Sequence, residues 1–246
     1  MRFVPLGVGD AFSEHNYSSC VALEQGGQLL LVDCPHPVLK MLREARDETN
    51  LPIDAAHVAG IVLTHLHADH ASGVETFAYY ARFVLGRKVR LAAHPIVLSR
   101  LWDGHLAAGM ERSLPALDEP FRENHLEDFF DITPLREDGA VEVGPFAVEA
   151  RPTIHHIPCA ALRLSAGGRT LGHSGDTTFD EGLIAWLGAA DLVLHETGYG
   201  VHTAYDSLAA LPAPLRAKMR LIHYPDALDR ERSAIEPLRE RIVYNV

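Results

Sequence analysis

Cysteine is scarce in this 246-residue sequence, which contains only Cys20, Cys34 and Cys159. Three scattered thiols are too few for a disulfide framework or for a zinc site built from cysteine. The sequence also lacks an apolar run of about 18 to 20 residues, the length that spans a bilayer, so we expect no membrane contact. The first ten residues, MRFVPLGVGD, lack the apolar stretch of a signal peptide, and a cytoplasmic location is the default expectation.

Basic residues are also few relative to acidic ones. Lysine and arginine total 22 against 33 aspartates and glutamates, which gives a formal net charge of −11. A surface that follows a phosphate backbone needs a basic patch, so this balance argues against extended nucleic acid as a partner. It is compatible with a small anionic substrate held by a few local contacts. The hydrophobic fraction of 47% is that of a globular protein with a full core.

No linker rich in Pro, Gly or Ser marks a domain boundary, and we interpret residues 1–246 as one domain. Short apolar runs predict strands over residues 2–8, 19–23, 28–33, 60–64, 88–93, 140–143, 146–153, 160–165, 169–173, 190–195 and 220–223. Apolar stripes and prolines predict helices over residues 37–50, 75–84, 95–101, 180–187, 207–219 and 230–241. Residues 103–131 are polar and mixed, which predicts a partly helical insertion or lid.

The order of these elements indicates the fold class. In each half of the chain strands come first and helices follow. This order favours an α/β protein with two β-sheets flanked by helices, an αββα sandwich, over a single doubly wound parallel sheet.

Histidine is the abundant residue, with 15 in the chain. The segment Thr64-His65-Leu66-His67-Ala68-Asp69-His70 directly follows a predicted buried strand. Side chains alternate on an extended backbone, so His65 and His67 point to the same side and could hold one metal ion. Asp69 and His70 could coordinate a second metal ion, because they lie where the chain turns into a helix. Histidine and carboxylate are ligands for Zn²⁺ and similar ions, so the segment predicts a metal centre rather than a solvated loop.

Four residues cannot complete two metal shells, so further ligands must come from other strand ends. Three short segments qualify: 153–158 with His155 and His156, 173–177 with Asp176, and 221–224 with His223. Each is weak alone, because a histidine at a strand end is more often structural than a ligand.

Taken together, these motifs resemble the metallo-β-lactamase-fold hydrolases. Four motifs occur in that superfamily's order along nearly the whole chain: His65-x-His67-x-Asp69-His70, His155, Ser174-Gly175-Asp176-Thr177 and the terminal His223. Shorter motifs are similar to those of the ribonuclease Z-like branch, whose members are phosphodiesterases. They are Gly7-x-Gly9 with Asn16, Asp33-Cys34, His195-Glu196 and His202-Thr203.

The resemblance implies two divalent metal ions, with Zn²⁺ the first expectation and Mn²⁺ or Fe as alternatives. The implied ligands are His65, His67 and His155 for one ion, Asp69, His70 and His223 for the other, and Asp176 for both. In this branch a His-x-x-Pro stretch begins with the ligand, which favours His155 over His156. If the strand register shifted by one residue, His156 would be the ligand and His155 would point away.

The resemblance also implies a mechanism. A hydroxide shared by the two ions would be the nucleophile, oriented by Asp69 and Asp176. His202 is the candidate proton donor to the leaving oxygen, by resemblance to the ribonuclease Z-like histidine. His195 and Glu196 would lie outside the metal ligands and hold His202 in place, with Glu196 orienting its ring.

Three functions remain open from the sequence. The first is a phosphodiesterase acting on a small nucleotide, cyclic or otherwise, or on an RNA end. The second is an acyl hydrolase (thioesterase, lactonase or β-lactamase-like), because the metals would stabilise an oxyanion equally well. The third is a non-catalytic binding module. A phosphodiester leaving group gains from a proton donor, so the direction in which His202 points discriminates between the first two.

Two further expectations concern the surroundings of the site. Tyr199 and Tyr224 are candidates for the wall of the substrate pocket. A homodimer is the expected assembly, with residues 103–131 as a candidate interface.

Overall fold

The computed structural model describes residues 1–114 and 118–246. The strands are β1 (Arg2–Gly7), β2 (Cys20–Gln25), β3 (Gln28–Val32), β4 (Val58–Leu63), β5 (Val89–Ala93), β6 (Arg112–Ser113), β7 (Arg122–Glu123), β8 (Phe130–Pro134), β9 (Val141–Val143), β10 (Phe146–Pro152), β11 (Ala160–Ala166), β12 (Arg169–His173), β13 (Leu192–Glu196), β14 (Met219–Ile222) and β15 (Tyr244–Asn245). The α-helices are α1 (Val38–Thr49), α2 (Ala68–Ala71), α3 (Val74–Phe83), α4 (Pro95–Leu101), α5 (Ala107–Met110), α6 (Leu126–Phe129), α7 (Glu181–Leu187), α8 (Tyr205–Ala209) and α9 (Ala213–Ala217).

Two mixed sheets form the centre of the molecule. In the described residues one has the strand order β15-β1-β2-β3-β4-β5-β8, and the other has the order β14-β13-β12-β11-β10-β9. Parallel pairs run from β3 to β8 in the first sheet and from β12 to β14 in the second. Helices flank the sheets, and the predicted αββα sandwich is confirmed.

Alternation of side chains explains why the first sheet is buried on both faces. Leu23 and Leu30 belong to the apolar cluster shared with the second sheet. Their neighbours Ala22 and Leu31 belong to the cluster that includes Met41 and other residues of the flanking helices. Because each fully buried leucine stabilises the fold by roughly 1.5–3 kcal/mol, the two faces together fix the register of the sheet.

The predicted helix over residues 207–219 is wrong in part. The structure has two short helices there, α8 and α9, separated around Pro212. Proline has no N–H to donate to a preceding turn, so the first helix stops before it and the second begins after it.

The predicted helix over residues 230–241 is wrong: the segment is made of turns and irregular chain, and residues 236–238 pair with β14. The N–H of Leu221 donates to the carbonyl of Glu236 at 3.0 Å, and the N–H of Leu238 donates to the carbonyl of Leu221 at 2.9 Å. Ile235 and Leu238 are buried in the core. Pro237 opposes a regular helix, and pairing with the sheet edge satisfies the backbone instead.

Residues 103–131 are partly helical, as predicted. They contain part of a π-helix at Trp102–Leu106, helices α5 and α6, and the short hairpin of β6 and β7. Residues 115–117 of this stretch lie outside the described residues. The predicted end at 131 is too late, because β8 begins at Phe130 and pairs with β5 in the first sheet.

The longest described helix is α1, with 12 residues. At 1.5 Å per residue it reaches about 18 Å, short of the roughly 30 Å of a bilayer core. Within residues 1–114 and 118–246 no helix has the length and apolarity of a membrane span.

Candidate metal centre

The seven predicted metal ligands lie together at one edge of the sandwich, where strands of both sheets end. His65 and His67 follow β4, and Asp69 and His70 lie in α2. The second sheet supplies the other three: His155 between β10 and β11, Asp176 after β12, and His223 after β14. Their donor atoms form one group of His65, His67, His155 and Asp176, and another of Asp69, His70 and His223, each within 4.8 Å. A third group within the same distance joins Asp176 and His223 with His202, so which of these residues act as ligands stays a prediction.

Three imidazole nitrogens converge in the first group. The Nε2 of His65 lies 2.9 Å from the Nδ1 of His67, and the Nε2 of His155 lies 3.3 Å from the same atom. His156 is exposed, and its ring lies 4.6 Å from that of His67 at a tilt of 37°, outside the group. The structure therefore brings His155 into the cluster rather than His156.

Asp176 lies between the two groups. Its Oδ2 is 3.6 Å from the Nε2 of His65 and 3.7 Å from the Nε2 of His223, and its Oδ1 is 3.4 Å from the Nε2 of His70. Asp69 faces only the second group, with Oδ2 3.3 Å from His70 and 3.2 Å from His223. One carboxylate is thus placed to contact two ions.

Asp33 orients two of the histidines from behind. Its carboxylate accepts hydrogen bonds from the Nδ1 of His70 at 2.8 Å and from the Oγ1 of Thr64 at 2.9 Å. The Thr64 hydroxyl, having donated its proton to Asp33, accepts from the Nδ1 of His65 at 2.9 Å. In the neutral rings both Nδ1 atoms carry the proton, and both Nε2 lone pairs point into the cluster.

The residues present fit divalent metal ions. Nε2 of His70 and Oδ1 of Asp176 are buried and have no hydrogen-bond partner in the described structure. Leaving such atoms unpaired costs about 1–3 kcal/mol each, a cost that coordination removes. Imidazole nitrogen with carboxylate oxygen is a donor set that Zn²⁺ and related divalent ions accept.

Burial and the carboxylates shift the histidines of the cluster in opposite directions, lowering the pKa in the first group and raising it in the second. Burial lowers the pKa of His65, and it lowers the pKa of His155 to about 4. Burial alone would raise the pKa of Asp69, but the adjacent His223 and His70 rings outweigh it and lower the pKa. Burial would lower the pKa of His70, but Asp176 and Asp33 outweigh it and raise the pKa. The carboxylates around His70 therefore stabilise positive charge at that position.

Backbone strain concentrates at the same edge. Asp33, Gly175 and His223 all have left-handed φ angles, of 62°, 57° and 49°. At Gly175 a Cβ would lie 2.8 Å from the carbonyl oxygen of Ala160, so only glycine fits there. These turns set the directions of the side chains that follow the strands. Strained backbone of this kind is common at functional sites.

His202 points at the cluster, as predicted for a proton donor. Its Nδ1 lies 3.2 Å from the Oε1 of Glu196 and 3.9 Å from the Oδ2 of Asp176. The hydrogen bond with Glu196 raises the pKa of His202 despite partial burial of the ring. The same Glu196 oxygen accepts from the backbone N–H of Thr177 at 2.9 Å, which fixes the carboxylate.

His195 lies away from the cluster, unlike Glu196. Its Nδ1 is 2.7 Å from the carbonyl oxygen of Glu196, and burial lowers its pKa. Neighbouring residues of β13 point to opposite faces of the sheet, so only one of the two side chains can face the ligands. The structure thus brings Glu196 to His202 and does not bring His195 there.

A cavity of about 480 Å³ opens beside the cluster. Its lining includes His67, Asp69, Asp176, His202 and His223, together with residues 10–12 and 198–201. Tyr199 lines this cavity as predicted, whereas Tyr224 is buried and its hydroxyl donates to the carbonyl of Leu238 at 2.6 Å. Sequence reasoning missed Phe12, because the Gly9-Asp10 turn predicts a loop but nothing in it indicates where the loop lies.

The fold and the convergent ligand set define a metallo-β-lactamase-fold protein with a candidate two-metal centre. The family described as "Anti-Pycsar protein Apyc1" matches residues 1–239, and the chain belongs to that family. An anti-Pycsar protein Apyc1 of Bacillus phage 010DV004 is 32% identical over 244 residues, which cover 93% of this chain and 91% of the relative. Another, from Saccharibacillus brassicae, is 29% identical and covers 100% of both chains.

Solved structures share the fold at low sequence identity. The metallo-β-lactamase-fold protein YhfI of Bacillus subtilis superposes with a TM-score of 0.74 at 16% identity, covering 99% of this chain and 98% of its own. Human tRNase Z, short form, gives 0.69 at 20% identity, covering 100% and 99%. The likeness to ribonuclease Z is thus one of fold. Family, fold and ligand set together support a metal-dependent hydrolase.

Proposed function

We propose that this protein is a dinuclear metal-dependent phosphodiesterase that acts on a small nucleotide-type phosphodiester, with cyclic nucleotides as first candidates. The observation that carries the proposal is the position of His202, hydrogen-bonded to Glu196 and directed at the ligand cluster. A phosphodiester releases an alkoxide, which gains from a proton donor at this position, whereas a thioester releases a thiolate, which needs none.

Size and charge of the cavity support a small anionic substrate. Its volume of about 480 Å³ lies in the range of small-molecule sites. In the described lining no lysine or arginine is present to follow a long phosphate backbone. Two divalent ions would make this part of an acidic protein locally positive, which suits one phosphodiester group.

Different residues of the chain bind the metal ions, orient the water and donate the proton. The seven candidate ligands would hold two divalent ions, which would supply Lewis-acid activation of water and neutralise charge on the phosphoryl group. The carboxylates of Asp69 and Asp176 accept hydrogen bonds from the attacking water and orient it. His202 donates a proton to the leaving oxygen, and Glu196 keeps that ring charged and fixed.

A substrate screen tests the proposal. The protein, loaded with Zn²⁺ or Mn²⁺, is assayed against cyclic nucleotides, bis(p-nitrophenyl) phosphate, a thioester and a lactone, beside a chelator-treated sample. We expect hydrolysis of the phosphodiesters by the loaded protein only. Cleavage of the thioester or lactone without any phosphodiester would favour the acyl hydrolase instead, and full activity after metal removal would overturn the whole scheme.

The variant His202→Ala tests the proton donor. We expect kcat for the phosphodiester to fall by about 10²- to 10⁴-fold, the usual contribution of general acid catalysis, with metal content per chain unchanged. His57→Ala is the matched control, because His57 is exposed, pairs with Asp54 and precedes β4, at the opposite end of that strand from His65. An unchanged kcat in His202→Ala would remove the main support for phosphodiester chemistry.

A further inference from the structure

The carboxylate of Asp176 lies between the two ligand groups with little to hold it there. In the described structure neither of its oxygens accepts a hydrogen bond. Oδ1 is buried without a partner, and the nearest nitrogens to Oδ2, on His65 and His223, are 3.6 and 3.7 Å away. The Oδ2 of Asp69, by comparison, lies within hydrogen-bond distance of the Nε2 of His223, at 3.2 Å. The position of the Asp176 carboxylate therefore depends on how its backbone is held.

The hydroxyl of Thr153 holds that backbone. Its Oγ1 donates to the peptide carbonyl of Asp176 at 2.8 Å, and among the described residues no other group bonds to this carbonyl. The next link along the turn joins two backbones, since the N–H of Thr178 donates to the carbonyl of Ile154 at 3.0 Å. Thr153 thus makes the side-chain contact that ties the end of β10 to the turn after β12.

Thr153 also closes the loop that carries His155. It directly follows β10, and its N–H donates at 3.0 Å to the carbonyl of Cys159, the residue before β11. His155 lies within this loop, and its Nε2 is 3.9 Å from the Oδ2 of Asp176. One residue therefore fixes both the base of the His155 loop and the carbonyl of Asp176, and it relates the positions of two predicted ligands.

Other groups hold the residues on either side of Asp176. The N–H of Gly175 donates to the Nδ1 of His173 at 3.0 Å, and the N–H of Thr177 donates to the Oε1 of Glu196 at 2.9 Å. These bonds do not depend on Thr153. Loss of the Thr153 hydroxyl would therefore leave the turn in place, remove the partner of the Asp176 carbonyl and free this one peptide to rotate.

We infer that Thr153 is a positioning residue of the metal centre, whose hydroxyl keeps the Asp176 carboxylate between the two ligand groups so that two ions bind together. The inference rests on the part of the proposed function that makes the site dinuclear. Two cations held side by side repel each other, and a carboxylate shared between them offsets the repulsion. With Asp176 displaced, each group keeps three candidate ligands. A single ion then still binds, and the second binds more weakly.

The variant Thr153→Val tests this role, because valine has the shape of threonine and lacks the hydroxyl. The full chain, freed of metal by a chelator and dialysed, is titrated with Zn²⁺ in competition with a chromogenic chelator. This gives the dissociation constants of the first and second ion. We expect the parent protein to bind two ions per chain. In Thr153→Val the first constant stays within about threefold and the second rises about 10- to 100-fold, the usual effect of losing a group that orients a ligand.

Two further variants serve as controls. Thr153→Ser keeps the hydroxyl and restores the second dissociation constant of the parent, a rescue that packing alone does not give. Thr170→Val removes another half-buried threonine hydroxyl of the second sheet, 2.8 Å from the Oγ of Ser165 and at the opposite end of β12 from Asp176. It binds both ions like the parent. Urea denaturation in chelator checks that both valine variants are folded.

The outcomes separate this inference from the proposed function. Unchanged dissociation constants in Thr153→Val overturn the positioning role. An equal weakening of both ions that Thr153→Ser does not reverse assigns the hydroxyl to folding and also overturns it, as does a parent protein that binds one ion per chain. Selective weakening of the second ion in Thr153→Val, without hydrolysis of any phosphodiester by the parent, leaves the positioning role standing and refutes the proposed function alone.

Discussion

At the scale of single residues, Asp33 controls more of the candidate site than its place in the sequence indicates. It has no donor atom in either ligand group, yet its carboxylate holds His70 directly and His65 through Thr64. The contacts reach across 31 and 37 positions of the chain. The sequence shows Asp33 only as part of a short motif, because spacing within a segment cannot reveal a contact made between segments.

Replacing Asp33 with asparagine tests this orienting role. Asparagine tolerates the left-handed backbone that Asp33 adopts, so the variant changes the carboxylate and spares the turn. Its single amide oxygen cannot accept from every donor that Asp33 serves, and we expect metal affinity to fall about 10- to 100-fold. Competition with a chromogenic chelator measures the affinity. Asp47→Asn, at an exposed aspartate of α1, provides the control, and equal affinities for the two variants would contradict the role.

The convergence of the seven candidate ligands was predictable from the sequence, and their surroundings were not. His65, His67, Asp69 and His70 fall within six positions after a strand, so local geometry alone brings them together. Residues that are adjacent in sequence need not share a site. His195 neighbours Glu196, but side chains alternate in β13, so the two point to opposite faces of the sheet. Phe12 carries no signal at all, because only the tertiary fold places its loop beside His223.

At the scale of secondary structure, the turn after β12 decides where Asp176 lies. Gly175 there has a φ of 57° and no room for a Cβ beside Ala160. Gly168 has a φ of 74° with nothing within 4 Å of its Cβ position, so it is a matched comparison. We expect Gly175→Ala to lower the free energy of unfolding by about 1–3 kcal/mol more than Gly168→Ala. Urea denaturation of both variants measures the difference, and equal losses would show that the close contact is unimportant.

The pairing of β1 with β2 gives a pH-dependent prediction. Glu24 is buried and lies 2.7 Å from Arg2 across the two strands. Burial would raise its pKa, but the N–H of Gly27 and the Arg2 guanidinium outweigh burial and lower the pKa below its ordinary value of 4.5. The unfolded chain then binds the proton more tightly, so the contribution to stability is present above about pH 5 and is lost as the pH falls through the folded pKa.

Glu24→Gln is expected to lower the free energy of unfolding by about 0.5–1 kcal/mol near neutral pH, since Arg2 is partly exposed and the pair is screened. The difference from the parent protein shrinks as the pH falls from about 5 towards 2, followed by urea denaturation at each pH. Glu142→Gln, an exposed glutamate of β9, should show no such trend. A loss that is constant with pH would assign the effect of Glu24 to packing rather than to charge.

Most strands were predictable, whereas two helices were not. Most strands of the two large sheets carry short apolar runs, and that pattern is typical of buried strands. Residues 230–241 also carry an apolar stripe that suits a helix, but the edge of β14 offers hydrogen bonds to Leu221 that the stripe cannot reveal. Tertiary pairing overrides local preference there.

At the scale of the whole molecule, the candidate centre joins the two sheets. His65, His67, Asp69 and His70 follow the first sheet, and His155, Asp176 and His223 follow the second. An ion that binds only this joined arrangement stabilises the native state over the unfolded chain. Chelation should therefore lower the unfolding free energy by about 3–4 kcal/mol relative to protein with free metal at 100 to 1,000 times its Kd.

Thermal denaturation with and without chelator, at one protein concentration, measures this effect. The variant Asp176→Ala lacks the residue between the two groups and should respond much less to chelator. A Tm that is the same with metal, with chelator and in the variant would show that no ion bridges the sheets.

The origin of the ligands in both sheets has a practical consequence. Asp69 and His223 are 154 positions apart in the chain, yet their side chains lie 3.2 Å from each other. A molecule whose sheets are misaligned, or whose second half has not docked, cannot assemble the full donor set. Bound metal per chain then serves as a count of correctly assembled molecules in a preparation, and it can rank variants for successful folding before any substrate is known.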